Sequence, residues 1–440
     1  MADVTLLVLG IAGMPPWGQD QIRRLAAQAR RRGVALVGAD TPDLLHAASA
    51  AELALFDDVV HLDVHSPQAC RSWAAATRPE VDAVATVREL SVLPAAVVAE
   101  ELGLCGNSPE AVSRVRNKDL CRRRLREAGF PQPLSVLCRD AEDARRFLRD
   151  TGPGPWIVKP RDGLASIGVS RIDHPDQLPG ALARLAVPSG AMPSPAAATG
   201  FLMETFVTGD EYSAEGILLR GVPHVLALTR KTVTEGFIST SQQVPSGLDE
   251  ATARAAGDAV ARGLTAVGIT HGIFHVELWV TSSGIVLGEF HCRGGGDYIH
   301  ALIEHTRPGL ELYGTLVDDL LGRAPEPLPA SSGAARVQFL FAPPGRLRAV
   351  RGWEEVIRHP SVLAAHLHVS PGDVIARHKD SFTRSAVFVT GTERPEDIDD
   401  LVTSLAARVG FETEDTEDST EASNDSDGTD EDESAPAPAV

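Results

Sequence analysis

His275-Val276-Glu277-Leu278-Trp279-Val280 and, after a short interval, Ile285-Val286-Leu287-Gly288-Glu289-Phe290-His291-Cys292-Arg293-Gly294-Gly295-Gly296-Asp297 form the stretch whose reading decides the fold. Each run is apolar around a single glutamate. Ser282, Ser283 and Gly284 between them read as a hairpin turn. The hairpin brings Glu277 and Glu289 near each other on one face. Two carboxylates forced together in a half-buried sheet repel, and a divalent cation is the usual remedy. Arg293 follows at the strand end, where a loop can hold it over the same site. Carboxylates, a metal and a guanidinium together suit chemistry on a phosphate. Alone, two such glutamates read more simply as solvated faces, so the rest of the chain decides.

The 440 residues exceed one simple core, and roughly two to four structural units are expected. An apolar fraction of 43% and a charged fraction of 23% are ordinary for a globular enzyme. No apolar run reaches transmembrane length. The chain enters directly on a strand-like run, Val4 to Leu9, without a basic signal-peptide head. The expectation is a cytoplasmic protein with no membrane partner. The five cysteines, Cys70, Cys105, Cys121, Cys138 and Cys292, are odd in number, scattered and free of CxxC pairs. Disulfide and zinc readings are therefore weak. The net charge is −19, but twelve acidic residues and no basic one lie from Phe411 onward, so the body carries only −7. Net acidity argues against a nucleic-acid partner.

Residues 1–107 read as a small α/β unit: a strand at Val4–Leu9, an amphipathic helix at Gln21–Arg32, strands at Val34–Val37 and Val81–Val87, and a helix around Leu93–Leu102. The alternation implies a parallel sheet. In a dinucleotide-binding fold Asp40 would be the ribose ligand. Gly10-Ile11-Ala12-Gly13 is not GxGxxG, and Pro15-Pro16 is expected to interrupt the helix start that would hold a pyrophosphate. Residues 108–209 form a second unit, opened by Ser108-Pro109-Glu110 as a helix start, with a basic helix through Lys118 to Glu127 and a strand at Trp156–Pro160. Pro188–Gly200 is low-complexity and expected to be a mobile loop. Residues 210–329 form a third unit, ending in the glutamate hairpin and a helix near Leu310–Leu321. Residues 330–410 read as a small α/β appendage, with strands at Arg336–Phe341 and Ser385–Val389 and a helix at Pro395–Arg408. Residues 411–440 are expected to be a disordered acidic tail.

Lys159 ends an apolar strand and precedes Pro160-Arg161-Asp162-Gly163-Leu164-Ala165-Ser166-Ile167-Gly168. A lysine beside a glycine-bearing loop suits phosphate, since loop amides bind oxygens and the ammonium adds charge. An ordinary hairpin with a surface lysine is the plainer reading. Yet the chain holds only four lysines against thirty-seven arginines, so a lysine here carries weight. Next comes Met203-Glu204-Thr205-Phe206-Val207-Thr208-Gly209-Asp210-Glu211. Glu204 with the Phe206–Val207 backbone suits adenine, and Glu211 suits ribose hydroxyls. By itself this segment would read as a linker with exposed glutamates.

The order of these motifs is the informative part: a lysine helix, Val-Lys-Pro with its glycine loop, Met-Glu-x-Phe-Val-x-Gly-x-Glu, two glutamates twelve residues apart, then Arg-Gly-Gly-Gly. Over roughly residues 1–320 the chain resembles the ATP-grasp superfamily of carboxylate–amine ligases. The appendage and the segment Lys231–Pro245 look most like the bacterial L-amino-acid (dipeptide) ligase and carnosine-synthase-like branch. The resemblance implies an α/β (α+β) ATP-grasp fold: a Rossmann-like parallel-sheet domain, a two-lobed ATP-binding region and the small appendage.

Carried over residue by residue, the resemblance implies that Lys118 and Lys159 touch ATP phosphates and Ser166 covers them. Glu204, Phe206 and Val207 would read adenine, and Glu211 would bind ribose. Glu277, Glu289 and His291 would hold Mg2+, with Mn2+ as an alternative. Arg293, His291 and Lys231 would be the catalytic set. Where the family reads Glu-x-Asn-x-Arg, this chain has His291, and imidazole suits Mg2+ poorly. His291 is thus left open as a Mn2+ ligand, a substrate contact, a base or a group behind the ligands. The implied reaction joins a carboxylate to an amine, both expected to be amino acids, through an acyl phosphate, giving ADP and phosphate. Its partners are ATP and the two small molecules; a homodimer is left open. The rivals are a biotin-carboxylase-like enzyme, a D-alanine–D-alanine-type ligase and a non-catalytic nucleotide-binding regulator.

Overall fold

A computed structural model describes residues 4–163, 166–186, 200–234, 238–376 and 383–415. The low-complexity segment is outside them except for Gly200, as are Leu164, Ala165 and the tail beyond Asp415. No helix among the described residues is long and apolar enough to cross a membrane.

The N-terminal unit is β1 (Val4–Leu9), α1 (Pro16–Arg31), β2 (Val34–Asp40), the short α2 (Pro42–Ala47) and α3 (Ala50–Leu53), β3 (Asp58–His61), α4 (Pro67–Thr77), β4 (Ala83–Thr86) and α5 (Val92–Leu102). The strands form a wholly parallel sheet in the order β3-β2-β1-β4. Pro15-Pro16 does not break the first helix, contrary to expectation. Pro16 occupies its first turn, where a missing N–H costs nothing and the fixed φ favours the helix. The helix buries Ile22, Leu25, Ala26 and Ala29 against the sheet. Each such leucine or isoleucine contributes roughly 1.5–3 kcal/mol relative to exposure. A 3-10 turn at Glu89–Ser91 carries the chain from the C-terminal end of β4 into α5.

Next come α6 (Pro109–Arg116) and α7 (Lys118–Glu127), then a lobe of β5 (Ser135–Cys138), α8 (Ala141–Thr151), β6 (Trp156–Pro160), β7 (Ser170–Ile172), α9 (Leu178–Ala186) and β8 (Phe201–Thr205). Its antiparallel sheet runs β5-β8-β6-β7, with α8 and α9 closing a separate core around Phe147, Trp156 and Leu185. The α6–α7 pair was expected to belong to this lobe. Instead Ala111, Val115, Cys121 and Leu125 pack into the core of the following lobe, because the apolar face of the pair meets the helix and strands described next.

That lobe contains β9 (Asp210–Leu219), β10 (Val222–Val233), β11 (Ser239–Val244), α10 (Glu250–Val267), β12 (Gly272–Thr281), β13 (Gly284–His291), α11 (Ile299–His305) and α12 (Leu312–Leu320). The C-terminal unit adds β14 (Ala334–Leu340), β15 (Gly345–Arg351), α13 (Trp353–Ile357), β16 (Val362–Leu367), β17 (Val374–Ile375), β18 (Ala386–Thr392), α14 (Ile398–Ala406) and β19 (Gly410–Glu414). The appendage is not a separate body. One eight-stranded sheet runs β13-β12-β9-β10-β11-β14-β18-β16, so β14 pairs antiparallel with β11 of the lobe.

The first residues of the expected disordered tail are instead structured. Residues 410–414 form β19 against β15, with Phe411 packed beside Leu347 and Ile375. Arg351 and Arg348 of β15 pair with Glu412 and Glu414, so cross-strand charge offsets the acidity that had suggested disorder.

Candidate active site between the lobes

The Ser282–Gly284 turn and both glutamates fall where the sequence placed them. Val276 pairs with Phe290 and Leu278 with Leu287, which leaves Glu277 facing both Gly288 and Glu289. This is a β-bulge, and it re-aims the second glutamate. Gly288 is required there: a Cβ would sit 2.8 Å from the Glu277 carbonyl oxygen.

Strand alternation then sorts the side chains. On β9, Glu211, Ser213 and Glu215 share one face; their cross-strand partners on β12 are Trp279, Glu277 and His275. Lys231 on β10 and Glu289 and His291 on β13 continue that face. The opposite face carries Tyr212, Ala214, Val276, Leu278 and Phe290, all buried beneath α10. The polar face is the site.

Its centre is a set of charges drawn from both lobes. Lys118 Nζ lies 3.1 Å from Glu289 and donates to the Gly163 carbonyl at 2.8 Å. Lys159 Nζ lies 2.8 Å from Glu204 and 3.5 Å from Glu289. Lys231 Nζ lies 2.5 Å from Glu277 and 3.3 Å from Glu211. Burial pushes the Glu289 carboxyl up, but Lys118 and Lys159 outweigh it and hold the group below its ordinary range. Burial likewise opposes charge on Lys231, yet Glu277 and Glu211 raise it above the usual lysine range. Lys231 is thus held between two carboxylates, Glu277 and Glu211. Glu211 is raised, first by burial and then by the neighbouring Glu277, although Lys231 acts in the other direction.

Two carboxylate–histidine pairs flank this centre. His275 Nδ1 lies 2.9 Å from Glu215, and its Nε2 is 3.7 Å from Glu277. His291 Nδ1 lies 2.9 Å from Glu89, and its Nε2 is 4.0 Å from Glu289. The two rings are 5.5 Å apart. Each imidazole is oriented by one carboxylate and directs its other nitrogen at one of the hairpin glutamates. Glu89 serves twice, since Arg293 Nε lies 2.7 Å from it. Burial would raise Glu89, but Arg293 and His291 hold it well below the ordinary carboxylate range. Arg293 also donates to the Gly294 carbonyl at 2.7 Å.

Several expected roles shift. Glu204 does not present a free carboxylate to adenine: it is buried and bonded to Arg122 Nε at 2.8 Å as well as to Lys159. Burial opposes ionisation, but Arg122 and Lys159 bring Glu204 down to about 2. Glu211, expected to bind ribose, lies 3.3 Å from Lys231. Phe206 and Val207 lie in the short connection from β8 to β9; the Phe206 N–H donates to the Pro155 carbonyl and Arg171 stacks 4.6 Å from the Phe206 ring centre. Ser166 is exposed at a positive φ of 58° in the β6–β7 connection. Cys292 packs beside the cores, with its thiol pushed up by burial. Glu89 and Arg116 were missed, because nothing near them in the chain marks them as parts of this site; Glu215 shares the period-two face of Glu211 and Arg122 lies one helical turn beyond Lys118, and those spacings are the signals that could have found them.

No three His, Cys, Asp or Glu side chains among the described residues form a ready metal cage. Glu277 and Glu289 offer hard carboxylate oxygens on one face. A pair of carboxylates completed by phosphate oxygens and water is the donor set that Mg2+ ordinarily takes, so these residues fit that ion.

Residues 153–301 match the ATP-grasp domain, and residues 338–414 match the L-amino acid ligase C-terminal domain 2. The chain is 30% identical over 213 residues to alanine–anticapsin ligase of Bacillus subtilis, covering 45% of each protein. It is 29% identical over 241 residues to human (Homo sapiens) carnosine synthase 1, covering 51% of this chain and 28% of that one. It thus spans under half the length of these curated relatives. The solved structure of an L-amino acid ligase from Bacillus licheniformis superposes with a TM-score of 0.76 at 20% identity, covering 94% of this chain and all of that one, and so shares the fold.

Proposed function

From a chain that carries an ATP-grasp domain joined to an L-amino acid ligase C-terminal domain, we propose an ATP-dependent ligase that joins a carboxylate to an amine, both from amino acids. The observation that carries this reading is the meeting of Lys118, Lys159 and Lys231 with Glu289 and Glu277 at one place. These groups pair with one another, and a magnesium–polyphosphate pair is the ligand that exchanges with both halves. Phosphate oxygens take the lysines, and Glu277 and Glu289 take the metal. When bound there, Mg2+ neutralises charge on the phosphoryl oxygens.

In the first step a carboxylate oxygen of the acid substrate bonds to the γ-phosphorus of ATP as the bond to the ADP oxygen breaks. Lys118 and Lys159 steady the equatorial oxygens. In the second step the amine nitrogen bonds to the acyl carbon, inorganic phosphate departs and the nitrogen loses a proton. Arg293, fixed through Nε by Glu89, presents its remaining donors to the oxyanion. The Phe206–Val207 connection receives adenine through its backbone, since the Glu204 side chain is committed to Arg122 and Lys159. The lobe of residues 135–205 closes over the nucleotide and keeps water from the acyl phosphate.

Phosphate release from ATP, measured with pairs of amino acids, tests the reading. ADP and phosphate should form together with a dipeptide, and hydroxylamine should divert the first product to a hydroxamate. AMP and pyrophosphate as products would overturn it.

A further inference from the structure

The polar face of the large sheet continues beyond Lys231. Its cross-strand partner on β11 is Gln242, whose Nε2 donates to Asp297 Oδ2 at 3.0 Å. Asp297 ends the glycine turn after Arg293 and holds a left-handed φ of 54°, which aspartate tolerates better than most residues. Both its carboxylate oxygens lie 2.9 Å from Nη1 of Arg384, which enters from the C-terminal unit just before β18. The Arg384 guanidinium lies 3.6 Å from the centre of the Phe339 ring, which fixes its plane.

This cluster is incomplete. Arg384 is 5% exposed and Gln242 is 4% exposed. Arg384 Nε, a donor, and Gln242 Oε1, an acceptor, are buried with no hydrogen-bond partner. A buried donor and a buried acceptor left unpaired are both unfavourable, since each has lost its water and gained nothing in return. None of the groups so far assigned to nucleotide or metal uses them.

We propose that Arg384, Asp297 and Gln242 form a subsite for the zwitterionic head of an amino acid, its carboxylate on Arg384 and its ammonium on Asp297 and Gln242. A zwitterion replaces the Asp297–Arg384 pair contact for contact. Its carboxylate takes the guanidinium, including the idle Nε; its ammonium takes the aspartate and the idle Gln242 oxygen. A ligand of one sign would leave one member of a buried pair without a counter-ion, which is strongly unfavourable. The occupant is the amine substrate, a choice that rests on the ligase reading: the acid substrate gives its carboxylate to phosphate, whereas the amine substrate keeps its own free. Asp297 lies four residues beyond Arg293 in the same turn, and its carboxylate takes the ammonium proton that must leave before the nitrogen can attack the acyl carbon.

Calorimetric titration of the full chain, with magnesium and ADP present, tests the subsite. The probes are the proteinogenic L-amino acids, their methyl esters and their des-amino carboxylic acids. At least one free amino acid should bind, and its ester and des-amino analogue should each bind about tenfold or more weakly. Arg384→Ala should erase the preference over the ester. Asp297→Asn, which keeps shape and removes charge, should erase the preference over the des-amino acid and stands as the test should Arg384→Ala fail to fold. Folded variants that keep wild-type discrimination, or a wild type that binds no free amino acid, would overturn the proposal. Discrimination without phosphate release would support the subsite and sink the ligase reading. Phosphate release with discrimination indifferent to both variants would do the reverse.

Discussion

Arg293 Nε lies 2.7 Å from the Glu89 carboxylate, which reaches it from the 3-10 turn that follows the N-terminal parallel sheet. The same carboxylate holds His291 at 2.9 Å. Arg116 lies 3.6 Å from it and also donates to the Glu89 backbone carbonyl. The N-terminal unit thus sets the position of the guanidinium to which the proposed second step is assigned.

Glu89→Ala should lower turnover by roughly 10–100-fold, with ATP affinity little changed, because Glu89 orients Arg293 and His291 but touches neither Lys118 nor Lys159. Arg293→Ala should lower it further. The two changes should be strongly non-additive in the double variant, as expected of groups acting together. Steady-state kinetics with a fluorescent-nucleotide binding assay measures both, and simple additivity would separate Glu89 from Arg293.

Glu289→Gln should cut phosphate release by at least about a hundredfold while the thermal transition stays cooperative. The substitution removes a charge that faces Lys118 and Lys159 and that is assigned here to the metal. A variant retaining most of its turnover would move the metal to other residues.

Glu204→Gln leaves Arg122 and Lys159 buried beside a neutral group. Loss of one partner of a buried pair costs roughly 3–5 kcal/mol, measurable as a drop in the urea midpoint at neutral pH. The sign with pH follows from the depressed carboxyl. Its contribution is complete above the ordinary value of 4.5 and is lost as pH falls toward about 2. The gap between wild type and variant should therefore shrink across that interval. A gap that is constant from pH 6 to about 2 would show that Glu204 gains nothing from ionisation.

A chain ended at Gly410 loses β19 and should melt several degrees below one ended at Asp415. Phe411 covers Leu347 and Ile375, and Arg351 and Arg348 lose their glutamates. Differential scanning calorimetry of the two chains checks this; coincident transitions would mean that β15 does not need its partner.

What could be read from the sequence was local. Glu277, Ser282–Gly284 and Glu289 lie within one hairpin, so period-two patterning and a turn signal placed them together. Lys159 was visible because it ends an apolar strand before a glycine loop. Glu89 could not be seen that way, and Glu215 only through its period-two spacing from Glu211. Each meets its histidine only through long-range packing, Glu89 across the junction of two units and Glu215 across neighbouring strands. The role expected of Glu204 changed for the same reason: Arg122 approaches it from a helix whose apolar face packs in the other lobe. The bulge opposite Glu277 depends on which residues of β13 pair with β12, and pairing register has no local marker. The union of β11 with β14 is likewise a pairing choice between segments separated by three helices, the glutamate hairpin and a proline-rich connection.

That union limits how the molecule can be recombined. A chimera taking residues 330–415 from a relative would graft more than an outlying module. The donor's β14 would have to complete a hydrogen-bonded ladder with the recipient's β11, matching Arg336 to Gln243 and Val337 to Gln242. A crossover placed before β11 would keep that ladder within one parent, but it would then carry the glutamate hairpin along with it. Exchange of parts between such chains is therefore tied to strand register, and graft junctions that respect the β11–β14 ladder are the ones expected to yield folded hybrids.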